Sequence, residues 1–211
     1  MPDATPSAAP LDIALLAPLV SPIRQPYLGG AQALLRDLAV GLAARGHRVT
    51  LYAATGSDAS ILPGVTLREV AVDATRVRPT DFAALAAAPA ALAPLDPAVS
   101  QAFERAFDRI ASQRPHPSLL HAHAYDAPAF TLAQRLGLPV AHTLHMAALD
   151  PIISRLLAAL APARAPRQPG QPWLATVSRA CAATYRDACR IDTVIYNGLD
   201  LARIPYAPAV A

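Results

Sequence analysis

The feature that most constrains this chain is an alternation: short apolar runs recur between segments with helical spacing. Leu11–Ala17 reads LDIALLA, nearly continuous in apolar residues, which suits a strand buried on both faces. Ala31–Arg45 follows, with Leu34, Leu38 and Leu42 at i, i+4 and i+8 and Leu35 beside them, the stripe of a helix lying on a sheet. Gly46 stands where a helix-ending glycine belongs. The same reading predicts strands over 47–53, 65–72, 119–122, 139–144, 174–177 and 193–196, and helices over 97–112, 128–136, 151–160 and 179–190, with Gly137 closing the second of these. The segment 97–112 has the clearest amphipathic face, Val99, Phe103, Ala106 and Ile110. Residues 73–94, rich in alanine and proline, read as a loop with a short helix. Strands alternating with helices close by right-handed crossovers into an α/β, doubly wound, mostly parallel sheet. Ligands of such sheets lie beyond the carboxyl ends of the strands. Chemistry is therefore expected in 18–30, 54–60, 123–126, 145–149 and 197–200.

Composition narrows the function. The chain has 211 residues, enough for one large domain with a real core. Its 18 basic residues are all arginine and are scattered, with no basic stripe and interleaved aromatics, so no nucleic-acid partner is expected. The start, MPDATPSAAP, lacks the basic region of a signal peptide, and residues 1–10 read as a loose tail. The apolar stretch Ile13–Ile23 is interrupted by Pro18 and Pro22 and is too short to span a bilayer. Cys181 and Cys189, if on one helix, are separated by roughly 12 Å along its axis, too far for a disulfide. A cytoplasmic protein is the expectation. Pro151–Arg167 combines Ile152, Ile153, Leu156, Leu157 and Leu160 with three arginines. Contact with anionic lipid is one reading; a core-facing helix followed by a solvated Arg/Pro loop is the favoured one.

Two groups of residues point to chemistry. Gly29-Gly30 opens the first helix, where glycine lets a ligand approach the backbone and free N–H groups face a phosphate. A plain turn before a helix is the alternative. The G-x-G-x-x-G fingerprint of dinucleotide enzymes is absent. His121, His123, His142 and His145 fall at the ends of two strands. His121 and His123 share a face by strand parity. His123 and His145 lie just past their strands on the ligand side, where imidazole bonds sugar hydroxyls or developing charge. Histidines satisfied by backbone are the plain alternative, weakest for His145, which has Thr143 and Asp150 nearby in sequence. The cluster, with Asp126 or Asp150, also admits a metal site.

In order, these motifs resemble the N-terminal domain of glycosyltransferase family 4. The resemblance rests on YLGGAQALLRDLAVGLAARGHRVTLYA (27–53), LLHAHAYDA (119–127), PVAHTLHMAALD (139–150), LATVSRACAATY (174–185) and DTVIYNGLDLARIPYAP (192–208). It covers about residues 11–208. It implies the N-terminal half of a GT-B fold: a Rossmann-like acceptor-side domain over 11–196, and the start of an interdomain linker over 197–211. A C-terminal donor domain, absent from this chain, would complete it. By the same resemblance, Gly29 and Gly30 approach the donor diphosphate, and His145 is the catalytic residue beside the transferred sugar. His123, Asp126 and Thr143 line the acceptor or sugar side, and Asn197 and Gly198 belong to the hinge. The implied reaction is retaining transfer from a nucleotide-sugar donor to a small-molecule, glycan or lipid acceptor, without a metal or other cofactor, and inactive in this half alone. Two departures stand out: Ala124 where many relatives carry an acidic residue after His-x-His, and Gln32 where many carry Glu. The alternatives are a non-catalytic carbohydrate- or protein-binding module and, behind it, a histidine-based metal-dependent hydrolase.

Overall fold

The computed structural model describes residues 9–72 and 97–199. The expected loop and short helix of 73–94 lie outside the described residues, as do most of the tail and 200–211. Strands β1 (Asp12–Leu16), β2 (Arg48–Ala54), β3 (Val65–Val70), β4 (Leu119–Ala122), β5 (Val140–Leu144), β6 (Trp173–Thr176) and β7 (Thr193–Val194) alternate with helices. These are α1 (Gly30–Ala44), α2 (Pro97–Ser112), α3 (Ala127–Ala133), α4 (Pro151–Leu160) and α5 (Arg179–Thr184). The strands form one sheet in the order β3-β2-β1-β4-β5-β6-β7. Every neighbouring pair is parallel, so the doubly wound α/β expectation holds and the sheet is parallel throughout.

Each face of the sheet has its own core. On one face α1 packs Leu35 and Ala39 against Ile13, Leu15, Val49 and Leu51. On the other, Val99, Phe103, Ala106 and Ile110 of α2 meet Ala14, Leu16, Tyr52 and Leu120. That second face continues under α4 and α5, where Ile153, Leu157 and Cys181 cover Leu144 and Leu174. Burying one such leucine or isoleucine contributes about 1.5–3 kcal/mol, which explains why the strands are apolar on both sides. The order reverses between β1 and β4: the chain leaves β1 toward α1 on one face and β4 toward α3 on the other.

Three expectations need correction. The buried line of α1 is Gln32, Leu35 and Ala39, with Leu34, Leu38 and Leu42 only half-buried on its flanks. The small Ala39 lets the helix axis approach the sheet while the longer leucines wrap around the contact. The last helix stops at Thr184 instead of Arg190. Beyond it, Cys189 pairs with Pro162 in a β-bridge and the Arg190 N–H donates to the Ala161 carbonyl at 2.8 Å, drawing the chain off the helix axis. Cys181 and Cys189 therefore share no helix; both are free and buried. Third, the 162–172 segment is tied down as well as solvated. Arg167 lies 3.8 Å over the Trp173 ring and donates to the Gln171 and Pro172 carbonyls at 2.6 and 3.0 Å, and Arg190 donates to the Ala165 carbonyl at 3.2 Å.

Gly46 follows the C-cap of α1 with φ of 88°, a region open to glycine at little cost; α3 stops at Ala133 with Gln134 as its C-cap, short of the expected end at 136, so Gly137, with φ of 65°, lies in the loop before β5. Asp150 caps α4, its carboxylate accepting from the Ile152 and Ile153 N–H groups at 2.7 and 3.1 Å. Helix α4 turns Ile153 and Leu157 into the core, as favoured. Among the described residues no helix is long and apolar enough to cross a membrane.

Candidate active site at the carboxyl edge

Strand parity and register bring the histidines together. Across β4 and β5, His121 pairs with Ala141 and Ala122 with His142. Side chains alternate between faces, so His121, His123 and Thr143 share the α1 face of the sheet and His142 takes the opposite face. The His121 and His123 ring centroids are 4.2 Å apart. His121 Nε2 bonds Thr143 Oγ1 at 2.8 Å. His123 Nδ1 bonds His145 Nε2 at 2.9 Å, the rings stacking with centroids 5.2 Å apart. His142 instead meets Phe130, centroids 4.6 Å apart.

Burial sets the charge of this cluster. It lowers His121 to about 4, with repulsion from His145 adding to it. It drives His123 well below the ordinary value, with His121, His145 and His142 adding repulsion, and it lowers His145. Removing a cation from water is the dominant cost. These histidines are therefore neutral imidazoles near pH 7, each with one donor and one acceptor nitrogen. In the His123–His145 bond one ring supplies the proton and the other the lone pair. Nε2 of His123 is left buried with no hydrogen-bond partner, as are both ring nitrogens of His142, and burial with repulsion from His121 lowers His142 to about 3. Buried polar atoms rarely stay unpaired in native proteins.

The glycines lie on the same edge and the same face. Gly29 is the N-cap of α1 with extended backbone and no side-chain cap. A Cβ on Gly29 would meet Gln32 Oε1 at 3.1 Å, whereas one on Gly30 would meet nothing within 4 Å. No protein contact demands glycine at position 30, and the first N–H groups of α1 have no partner within the helix. Gln32, in the place where a Glu was looked for, is buried and donates to Ser21 Oγ, tying the 18–30 loop to the helix.

The remaining residues singled out in the sequence stand at two helix starts and in the segment after β7. Asp126 is the N-cap of α3 but takes no backbone N–H there. Burial, then the nearby Asp150 carboxylate, push it up to about 6. Asp150 is engaged at the start of α4 rather than with His145. Asn197 and Gly198 are exposed beyond β7. Sequence reasoning missed Tyr125, Cys181, Thr184 and Tyr185, which hold the histidine loops from behind. Their partners lie 35 to 60 positions away, and no local pattern announces them. Among the described residues no group of three His, Cys, Asp or Glu side chains is placed to hold a metal ion; His121 and His123 turn their nitrogens to Thr143 and His145, not to a common point. A cavity of about 740 Å³ lies elsewhere, at the β3 edge of the sheet, lined by Tyr52, Arg68, Glu69, Arg109 and Arg114 among others.

Comparison with known proteins adds three findings. The family model Glycosyltransferase Family 4 matches residues 28–203. MurG of Acinetobacter baumannii superposes with a TM-score of 0.51 at 13% identity, over 90% of this chain and 46% of that one. A UDP-forming α,α-trehalose-phosphate synthase from Burkholderia xenovorans also matches, with a TM-score of 0.43 at 13% identity, over 83% and 41% of the two chains. The chain thus spans about half the length of these proteins. No curated protein matches it.

Proposed function

The chain belongs to glycosyltransferase family 4, and on that premise we propose that it is the acceptor-side half of a retaining transferase using a nucleotide-sugar donor. Its cleft wall is the edge between the α1 N-terminus and the His123–His145 pair. The observation that carries the placement is the buried, unpartnered Nε2 of His123, at the carboxyl end of β4 where the strand order reverses. A ligand hydroxyl there supplies the missing partner.

The chemistry follows from charge. Breaking a sugar–phosphate bond develops positive charge on the sugar and negative charge on the leaving diphosphate. The α1 N-terminus carries roughly half a positive charge, and the open space at Gly30 lets the diphosphate approach its N–H groups. His145, neutral near pH 7, bonds the sugar without adding positive charge against the developing cation. His123 and Thr143 face the acceptor, a small molecule, glycan or lipid, with Asp126 at the margin. In this reading no metal takes part. A second domain provides the other wall, Asn197–Gly198 forms the hinge, and closure excludes water. Two buried free thiols support a reducing, cytoplasmic setting.

The test joins this chain to a cognate C-terminal half and assays a panel of nucleotide sugars, following the anomeric configuration of the product. Transfer with retention is expected. Robust transfer by the 211-residue chain alone sinks the two-domain account, and an inverted product sinks retention. A binding module without catalysis is the second reading. The exposed Val20, Leu28 and Leu149 on the carboxyl-edge loops and Ile152 in the first turn of α4 favour it, and a joined protein that binds sugar but never transfers it would establish it.

A further inference from the structure

The loops that carry His123 and His145 are joined a second time, away from their imidazoles. Tyr125 follows His123 by two residues and Met146 follows His145 directly. Tyr185, in the turn that ends α5, reaches both. Its hydroxyl lies 2.9 Å from the Met146 carbonyl oxygen and 2.8 Å from the Tyr125 hydroxyl. Proton counting fixes the direction. A carbonyl only accepts and Tyr185 has one proton, so Tyr185 donates to Met146 and accepts from Tyr125. The Tyr185 side chain is fully buried, and its volume belongs to the core under α4 and α5. Its hydroxyl alone spans the two loops.

Helix α5 holds the same loop at two further points. The Cys181 thiol donates to the Met146 carbonyl at 3.1 Å, and the Ala148 N–H donates to Thr184 Oγ1 at 3.0 Å. These fix the β5 loop to α5 but do not reach the β4 loop. The Tyr125–Tyr185 bond does. We infer that Tyr185 is a positioning residue for the histidine pair: by holding Met146 and Tyr125 together it sets the spacing of the two loops, and with it the His123–His145 hydrogen bond. The geometric claim is independent of the activity; its consequence for turnover rests on the transferase reading above.

Ring ¹⁵N resonances of the labelled 211-residue chain read the link without an assay, with His47 and His116 as internal references. Tyr185→Phe keeps the ring and removes the hydroxyl. The expected result is displaced or broadened His123 and His145 ring signals with His47 and His116 unchanged. Tyr125→Phe, which spares the Tyr185–Met146 bond, shifts the same signals less. The double variant goes no further than Tyr185→Phe alone. A folded Tyr185→Phe chain with unchanged His123 and His145 rings overturns the inference. Should that variant not fold, unchanged rings in Tyr125→Phe overturn it instead. In the joined enzyme Tyr185→Phe lowers kcat by about tenfold at constant donor KM, as a displaced reacting group does. If the joined enzyme transfers nothing, the activity reading fails while the ring signals still decide the positioning claim.

Discussion

β1 and β4 lie side by side in parallel register, yet the two halves of the sheet that they head differ in what they bury. The β1 half is aliphatic: Ala14, Leu15, Leu16 and Ala17 are each 0% exposed, and α1 covers Ile13 and Leu15 with Leu35 and Ala39. The β4–β5 half is as deeply buried but sets polar groups among its aliphatic ones, with His123, His142 and Thr143 below a tenth exposed and three ring nitrogens left without partners. An unpaired buried polar group costs about 1–3 kcal/mol. Selection for a stable sheet alone gives the first half. Of the three unpartnered nitrogens in the second half, only His123 Nε2 lies at the carboxyl edge, where an α/β sheet takes its ligands; the two nitrogens of His142 lie on the opposite face beside Phe130.

Four experiments press on the contrast, in descending order of effect. In the joined enzyme, His145→Ala is expected to lower kcat by about 100-fold, the usual scale for a positioned imidazole, with donor Kd changed far less. Steady-state kinetics beside a binding titration checks it, and equal activity would make His145 a packing residue. Next comes pH. His121 and His142 are lowered from 6.5 to about 4 and about 3, so between those values and 6.5 the unfolded chain holds more protons than the folded one. Stability is then full above pH 6.5 and falls as pH drops through this window, by on the order of a few kcal/mol. Asp126 opposes the trend: raised from 3.8 to about 6, it favours the folded state toward acid. Two histidines outweigh one carboxyl, and a pH series of thermal melts should show net loss below pH 6.5; a flat series would contradict the buried-neutral assignment.

The smaller effects separate stability from function. His142→Leu should stabilise the chain by about 1–3 kcal/mol, because it replaces two orphaned nitrogens beside Phe130 with an aliphatic group. Denaturant unfolding reads this, and a loss of stability would mean that His142 has a hidden partner. Gly30→Ala meets no atom within 4 Å, so the chain should gain about 0.4–1 kcal/mol as the unfolded state loses freedom. The same change should weaken donor binding in the joined enzyme, since the added Cβ occupies the approach to the α1 N–H groups. Stabilisation with unaltered donor affinity would remove Gly30 from the phosphate site.

Periodicity carried most of this fold. The spans of α2 and α4 match the apolar spacing residue for residue, and strand parity alone put His121 and His123 on one face. The misses share a cause. The α1 stripe read as Leu34, Leu38 and Leu42 because leucine spacing reports an apolar face but not which residue lies closest to the sheet, a choice made by the small Ala39. Helix α5 looked longer because the forces that end it act from Pro162 and Ala161. The histidine pair was half legible: its residues stood out, but the bond between them crosses 22 positions, and the Tyr125–Tyr185–Met146 chain behind it crosses up to 60. Contacts of that range depend on the assembled sheet.

The most direct test of the central claim is to titrate the isotope-labelled chain with pyrophosphate and map the response. The account predicts saturable shifts in the Gly29, Gly30 and Ala31 amides and in the His145 ring, which lie on the carboxyl edge and α1 face. Shifts confined to Arg68, Arg109 and Arg114 around the cavity at the β3 edge would contradict it and move the anion site away from the histidines.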